Sequence, residues 1–182
     1  ALSQPKGQTR EGDLKKLADA AEELVRQHEF ISADRLPRVL GASTGFLLAM
    51  GFVPARAVAL ALAIYLLSEA LQPVLMRRLE AKLEHGRYAL VLANSALGSC
   101  AFSFPALMLL LAGSKSLHIA AALYLTGALL NAAMVRATHL PQGISVAIPP
   151  ALVLLYGTLP TGLKAGQEEL FTFATVIVLL GY

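Results

Sequence analysis

Glu69 is the residue whose type and surroundings first imply chemistry: it is the single acid in the apolar stretch Ala57 to Met76, which carries no other charge. An ionised carboxylate is costly in hydrocarbon, so such residues face a bundle interior or a water path and find partners there. Tyr65, four residues before it, and Gln72, three after it, share its helix face and can hydrogen-bond the carboxylate or whatever it holds. A second reading places Glu69 near the headgroups, paired with Arg77 or Arg78, and the residues alone leave both open. Asn94 and Asn131 are amides within other apolar runs and join Glu69, Tyr65 and Gln72 as candidates for ligand or signal sensing. For both amides, interhelical hydrogen bonding ranks ahead of binding. Ser95, Ser99 and Ser103 recur every four residues and give one helix a small polar stripe, which more often marks packing than a ligand path. Gly41-Ala-Ser-Thr-Gly45 is a GxxxG motif, in which small residues one turn apart let two helices approach, within one chain by default.

Several chemistries are excluded. The chain has no phosphate-binding loop, no Ser/His/Asp or Cys/His arrangement and no HExxH. His118 and His139 do not form a metal-ligand pair, and Cys100 is the sole cysteine, so no metal site, disulfide or cofactor is expected. His28-Glu29 lacks the rest of a kinase phosphoacceptor box and reads as a surface histidine. Basic residues in the leader are balanced by acids and not interleaved with aromatics, so no nucleic acid is expected as a partner. No catalytic residue can be named.

The elements that must position these side chains are membrane helices. Of 182 residues 56% are hydrophobic and 15% charged, against about a quarter charged in soluble domains. A chain so poor in polar residues suits lipid as its solvent. Apolar spans are predicted at about Val39 to Val53, Ala57 to Met76, Tyr88 to Ala112, Leu117 to Val135 and Ile144 to Leu159, with a sixth from Leu170. The first is short for a crossing of about twenty residues, so it is expected to start near Leu36 with Arg38 snorkelling to the headgroups. The fifth is expected to be interrupted at Pro149-Pro150. Before them, Leu14, Leu17, Ala21, Leu24, His28 and Ile31 recur in steps of three and four, predicting an amphipathic helix from Gly12 that ends at Pro37. It is expected to lie along the membrane surface or on a neighbouring domain. The fold class is therefore all-α: a polytopic membrane bundle of about six helices over 38–182, behind a cytoplasmic leader over 1–37.

Basic residues orient the bundle. Seven lie in the leader up to Arg38, four in the linker Arg77 to Arg87 and one at Arg136, against Arg56, Lys115 and Lys164 on the other side. Twelve against three predicts cytoplasmic amino and carboxyl ends. The chain opens without Met and stops at Gly181-Tyr182 inside an apolar run, which reads as a piece cut from a longer protein.

A leader closing on Ala33-Asp-Arg-Leu-Pro-Arg38, an Arg-rich linker after the second span and a His139 turn before a proline-broken span resemble, together, the amino-terminal membrane region of bacterial sensor histidine kinases. Some hybrid kinases and diguanylate cyclases carry similar regions. The resemblance covers the whole chain through its layout and transfers no site residue. It implies a bacterial inner-membrane protein that forms a homodimer, senses a signal at or in the lipid bilayer and drives a cytoplasmic transmitter domain beyond Tyr182, where any catalysis would reside. A small transporter or channel unit is the rival class, with Glu69, Tyr65, Gln72 and the serine stripe lining the route. One acid without an evident basic partner, and no visible inverted repeat, count against it.

Overall fold

The computed structural model describes residues 18–26, 28, 35–112, 114–136 and 139–163. All secondary structure among them is helical. A short helix over 18–26 (α1) precedes α2 (Arg35–Ala49), α3 (Ala55–Ala81), α4 (His85–Leu111), α5 (Lys115–Arg136) and α6 (Leu140–Leu163). Four of these, α3 to α6, are long and apolar enough to cross a membrane. The sixth expected span, from Leu170, lies outside the described residues. The first, α2, has 15 residues and so measures about 22 Å, short of the ~30 Å hydrocarbon layer.

Helix α4 stands at the centre, packed against α2, α3, α5 and α6. Its sequence explains the position, because Asn94, Ser95, Gly98, Ser99, Ala101, Ser103 and Ala106 keep its buried face thin. Small side chains let backbones approach, and van der Waals contact then holds helices together where apolar burial alone would not. At Gly98 the approach is tight: a Cβ there would lie 2.5 Å from Ser68 Oγ on α3. The two helices are latched at that point by a reciprocal pair, Ser68 Oγ donating to the Asn94 carbonyl at 2.9 Å and Asn94 Nδ2 donating to the Ser68 carbonyl at 3.0 Å.

Apolar clusters close the bundle on either side of this latch. Phe46, Ala49, Val53, Val58, Ala61 and Ala101 join α2, α3 and α4, and Ala106, Leu110, Ala121, Leu125 and Leu154 join α4, α5 and α6. A third cluster sets Ala21 and Leu24 of α1 onto Met76 and Leu79 of α3 and Val91 of α4, while Asp19, Glu22, Glu23 and Arg26 are exposed. Residues 18–26 thus pack on the ends of α3 and α4, whereas Gly12, Leu14, Leu17 and Ile31, the rest of the expected leader stripe, lie outside the described residues. The outer surface is oily, with Leu60, Leu67, Leu123 and Leu152 between 59% and 70% exposed. Large exposed apolar surface of this extent marks a membrane or protein contact.

One expectation fails. Helix α6 runs without interruption from Leu140 to Leu163 through Pro149-Pro150, and α3 and α4 likewise continue through Pro73 and Pro105. A proline removes the bond from its own nitrogen to the carbonyl four residues earlier, and neighbouring side chains can re-satisfy that carbonyl. Pro73 frees the carbonyl of Glu69, which accepts from Arg35 Nη2. Pro150 frees that of Val146, which accepts from Ser99 Oγ at 2.6 Å. The charged linker is also shorter than expected: α3 extends to Ala81, and Lys82 to Glu84 make the turn, with Glu84 paired to Lys82 and, at 3.1 Å, to Arg87.

Candidate functional site

Both proline-freed carbonyls lie beside one cavity of about 240 Å³ between the helices. Helix α3 presents Tyr65, Ser68, Glu69 and Gln72 to it, a single face at steps of three and four, and α4 presents Ser95, Ser99 and Phe102. Gln142, Val146 and Pro150 line it from α6, one residue per turn, and Tyr124 and Asn131 from α5. Arg35 and Arg38 enter from the first turn of α2, with His28 beside them.

Glu69 meets its basic partners here. Arg38 Nη2 donates to Glu69 Oε2 at 2.9 Å, and Arg35 Nε lies 4.0 Å from the same oxygen. The Glu69 side chain is 17% exposed and that of Arg38 22%, so water screens this pair weakly. Two earlier expectations are thereby corrected. Arg77 and Arg78 are exposed and the partners come instead from α2; Arg38 turns inward to the carboxylate rather than outward to headgroups. The physical reason is that α2 begins at the level of Glu69, where a lone carboxylate attracts the nearest guanidinium more strongly than the end of a long snorkel does.

The remaining polar groups form a chain across three helices. Asn94 Nδ2 donates to Gln72 Oε1 at 2.6 Å, Gln72 Nε2 to Ser95 Oγ at 3.2 Å, and Gln142 Nε2 to the same hydroxyl at 3.3 Å. Of the serine stripe, Ser95 and Ser99 reach other helices, while Ser103 donates to the Ser99 carbonyl of its own helix at 2.8 Å. Tyr65 is buried among rings, 5.8 Å from both Phe46 and Phe102 between centroids. Phe102 in turn stacks on Tyr124 at 4.6 Å. Asn131 lines the cavity wall, though the residue as a whole is exposed. In the GxxxG motif Gly45 faces Tyr124, where an added Cβ would come within 2.9 Å of the ring, but nothing lies within 4 Å of that position on Gly41.

Three contributors were not singled out beforehand. In the sequence Arg35 is only one of the leader charges, Gln142 carries no mark, and His28 reads as a surface residue; His28 is in fact half-buried against the cavity. Burial pushes its imidazole below its ordinary pKa, Arg35 and Arg38 push further the same way, and Glu80 and Glu69 oppose them. His139 is almost completely buried at 1% exposure and caps α6. Its Nδ1 accepts the Gln142 backbone N–H at 3.2 Å, so in the neutral ring the proton sits on Nε2, which points at Tyr88 Oη 3.0 Å away. Burial also holds this imidazole below its ordinary value, against Glu23 and a backbone hydrogen bond at Ala20.

Chemically the cavity lining is of two kinds. One part is polar, with two guanidiniums against one carboxylate and with amides and hydroxyls; the other is aromatic and aliphatic. Among the described residues no cluster of three or more His, Cys, Asp or Glu could hold a metal ion. The arginines keep their charge and the amides do not titrate, so those groups bind and orient, while Glu69 and His28 are lining groups able to hold or release a proton. No protein-family model, curated protein or solved structure matches the chain.

Proposed function

We propose that the chain is the membrane-embedded input module of a bacterial signalling protein, in which the central cavity binds a small polar signal. The observation that carries this reading is the cavity's construction: residues of the leader side, His28, Arg35 and Arg38, close it against α3 through Glu69. An occupant drawing on those guanidiniums competes with Glu69 for them, and therefore changes how the start of α2 is held. A ligand shifts a two-state element only by binding its two arrangements unequally, and an ion pair within reach of the ligand supplies such a difference. In this reading the leader faces the cytosol, two copies associate in the inner membrane, and the shift passes to a transmitter of histidine-kinase type beyond Tyr182.

In the parent protein, Glu69→Gln should alter signalling output while membrane insertion and expression stay normal; unchanged output would remove Glu69 from the sensing path. The reading frame after Tyr182 is the simplest check, since a phosphoacceptor box with an ATP-binding domain, or a GGDEF signature, belongs to the signalling reading alone. Transport is the second reading, and one observation favours it: Glu69 has in Arg38 the basic partner that a coupled carrier would need. Solute flux through proteoliposomes of the purified protein, lost in Glu69→Gln, would establish transport in place of sensing.

A further inference from the structure

On the footing that the cavity binds a ligand, we infer that its occupant is a small organic carboxylate with an apolar body, its charged end at Arg38 and Arg35 and its body against Phe102 and Tyr124. Charge is the first ground. The polar part of the lining brings two permanent positive charges and the single carboxylate of Glu69, so one positive charge remains after pairing. A monoanion neutralises it; a cation adds to it.

Hydrogen bonding is the second ground. Arg38 Nε is buried and has no hydrogen-bond partner among the described residues, although Nη2 of the same group is held by Glu69. A guanidinium offers its donors as a planar fork that matches two carboxylate oxygens. With Nη2 engaged, Nε and Nη1 are the donors left to hold a second acceptor, and a carboxylate oxygen meets that need better than a neutral one because charge-assisted bonds are the stronger.

Shape and polarity are the third. Part of the cavity wall is built of rings, with Phe102 and Tyr124 stacked at 4.6 Å and Tyr65 beside Phe102. Such a wall gives a sulfate or phosphate nothing in return for its lost hydration, but it packs well on an aromatic or branched aliphatic body. At about 240 Å³ the space falls just below the range of drug-sized pockets, ~300–1,000 Å³, which limits the body to a single ring or a short branched chain.

Benzoate is a suitable probe. The full chain, purified in nanodiscs, should bind benzoate saturably in calorimetry, with benzamide at least about tenfold weaker and sulfate unable to displace it. Arg38→Gln should weaken benzoate by about tenfold or more, and because that variant leaves Glu69 short of a partner, Arg38→Gln/Glu69→Gln serves as the charge-matched version with the same expected loss. Ala128→Leu, which narrows the cavity from α5, should weaken both aromatic probes. Benzamide binding as tightly as benzoate and lost in Ala128→Leu overturns the carboxylate while the cavity keeps its role. Sulfate displacing benzoate overturns the apolar body. If neither aromatic probe binds, or if both bind equally well to Ala128→Leu, the inference and the ligand-binding cavity beneath it fall together.

Discussion

Two stretches of the contact between helices α3 and α4 are unlike. Around Phe46, Val58, Ala61 and Ala101 they close with α2 into an apolar cluster in which Phe46 and Val58 have no exposed surface. Around Ser68, Gln72, Asn94 and Ser95 the same helices are joined by hydrogen bonds instead, and these polar groups line or border the cavity. What separates the two is the order of residues along α3. Val58, Ala61 and Tyr65 send rings and methyl groups inward, and then Ser68, Glu69 and Gln72 send hydrogen-bonding groups from the next turns of the same face. One face of one helix is therefore a wall over its first half and a binding surface over its second.

The largest effect that would test this contrast is expected in the closed region. Phe46→Ala removes a ring with no exposed surface from between Tyr65 and Phe102, and should cost ~3 kcal/mol, the lower end for such truncations, because lipid or detergent already solvates the unfolded helices. Thermal unfolding in detergent measures it. A truncation on the cavity side, Tyr124→Leu, should cost less than half as much, since its ring borders open space and leaves no new closed void. Equal losses would mean that the cavity is packed as tightly as the cluster.

Charge gives the next effect. Arg38→Ala leaves Glu69 with Arg35 at 4.0 Å, and a buried pair that loses one member typically costs ~3–5 kcal/mol. The pair is screened in part by water, so about 2 kcal/mol is expected. Removing both groups, Arg38→Ala/Glu69→Ala, should restore roughly half of that loss, because no uncompensated charge is left. Additive losses in the double variant would place the two groups in separate environments.

How much of this was readable beforehand divides along the same line. The helices and their apolar spans follow from composition and periodicity, which are local. That Glu69 needs a partner follows from the cost of a carboxylate in an oily run, also local, but the sequence left open whether it turns to the bundle interior or to Arg77 and Arg78. Its partners did not follow, because Arg35 and Arg38 are separated from it by 34 and 31 residues and look in sequence like ordinary charges at the end of a leader. Only the length and placement of α2, set by its packing on α3 and α4, bring them to that level. Gln142 and His28 were missed for the same reason. A signal that was present and unused is the proline spacing of four, which marks the carbonyls of Glu69, Ala101, Ser145, Val146 and Tyr156 as freed; of these, Glu69 and Val146 accept from side chains of other helices.

At the cytosolic end of the proposed orientation, His139 provides a smaller, pH-dependent effect. Its folded pKa is held down by burial, so the folded chain favours the neutral ring. The stabilisation is full above the unfolded value of about 6.5 and declines as pH falls through the lower, folded value. Protonation puts a hydrogen on Nδ1, where the Gln142 N–H already points, and the α6 cap is lost. The unfolding midpoint should therefore drop on acidification below about pH 6.5, and His139→Asn, which keeps a capping oxygen but does not titrate, should flatten that part of the profile. A profile unchanged in His139→Asn would assign the acid sensitivity to His28, whose imidazole burial also disfavours protonation.

The finest distinction concerns the prolines. If Ser99 is held at the cavity because Pro150 leaves the Val146 carbonyl without its helical donor, the two residues must be energetically coupled. Ser99→Ala alone strands that carbonyl and should cost ~1 kcal/mol. In a Pro150→Ala background the restored N–H of residue 150 can bond the Val146 carbonyl within α6, so the same Ser99→Ala change should cost less, near zero. A double-mutant cycle on unfolding in detergent reads the difference directly as a coupling of about 1 kcal/mol. Coupling indistinguishable from zero would mean that the helix bends its carbonyl away irrespective of Ser99, and the hydroxyl would then be a cavity group in its own right. A positive result would instead explain why a polar stripe on α4 and a proline pair on α6 occur together: each supplies the partner that the other lacks.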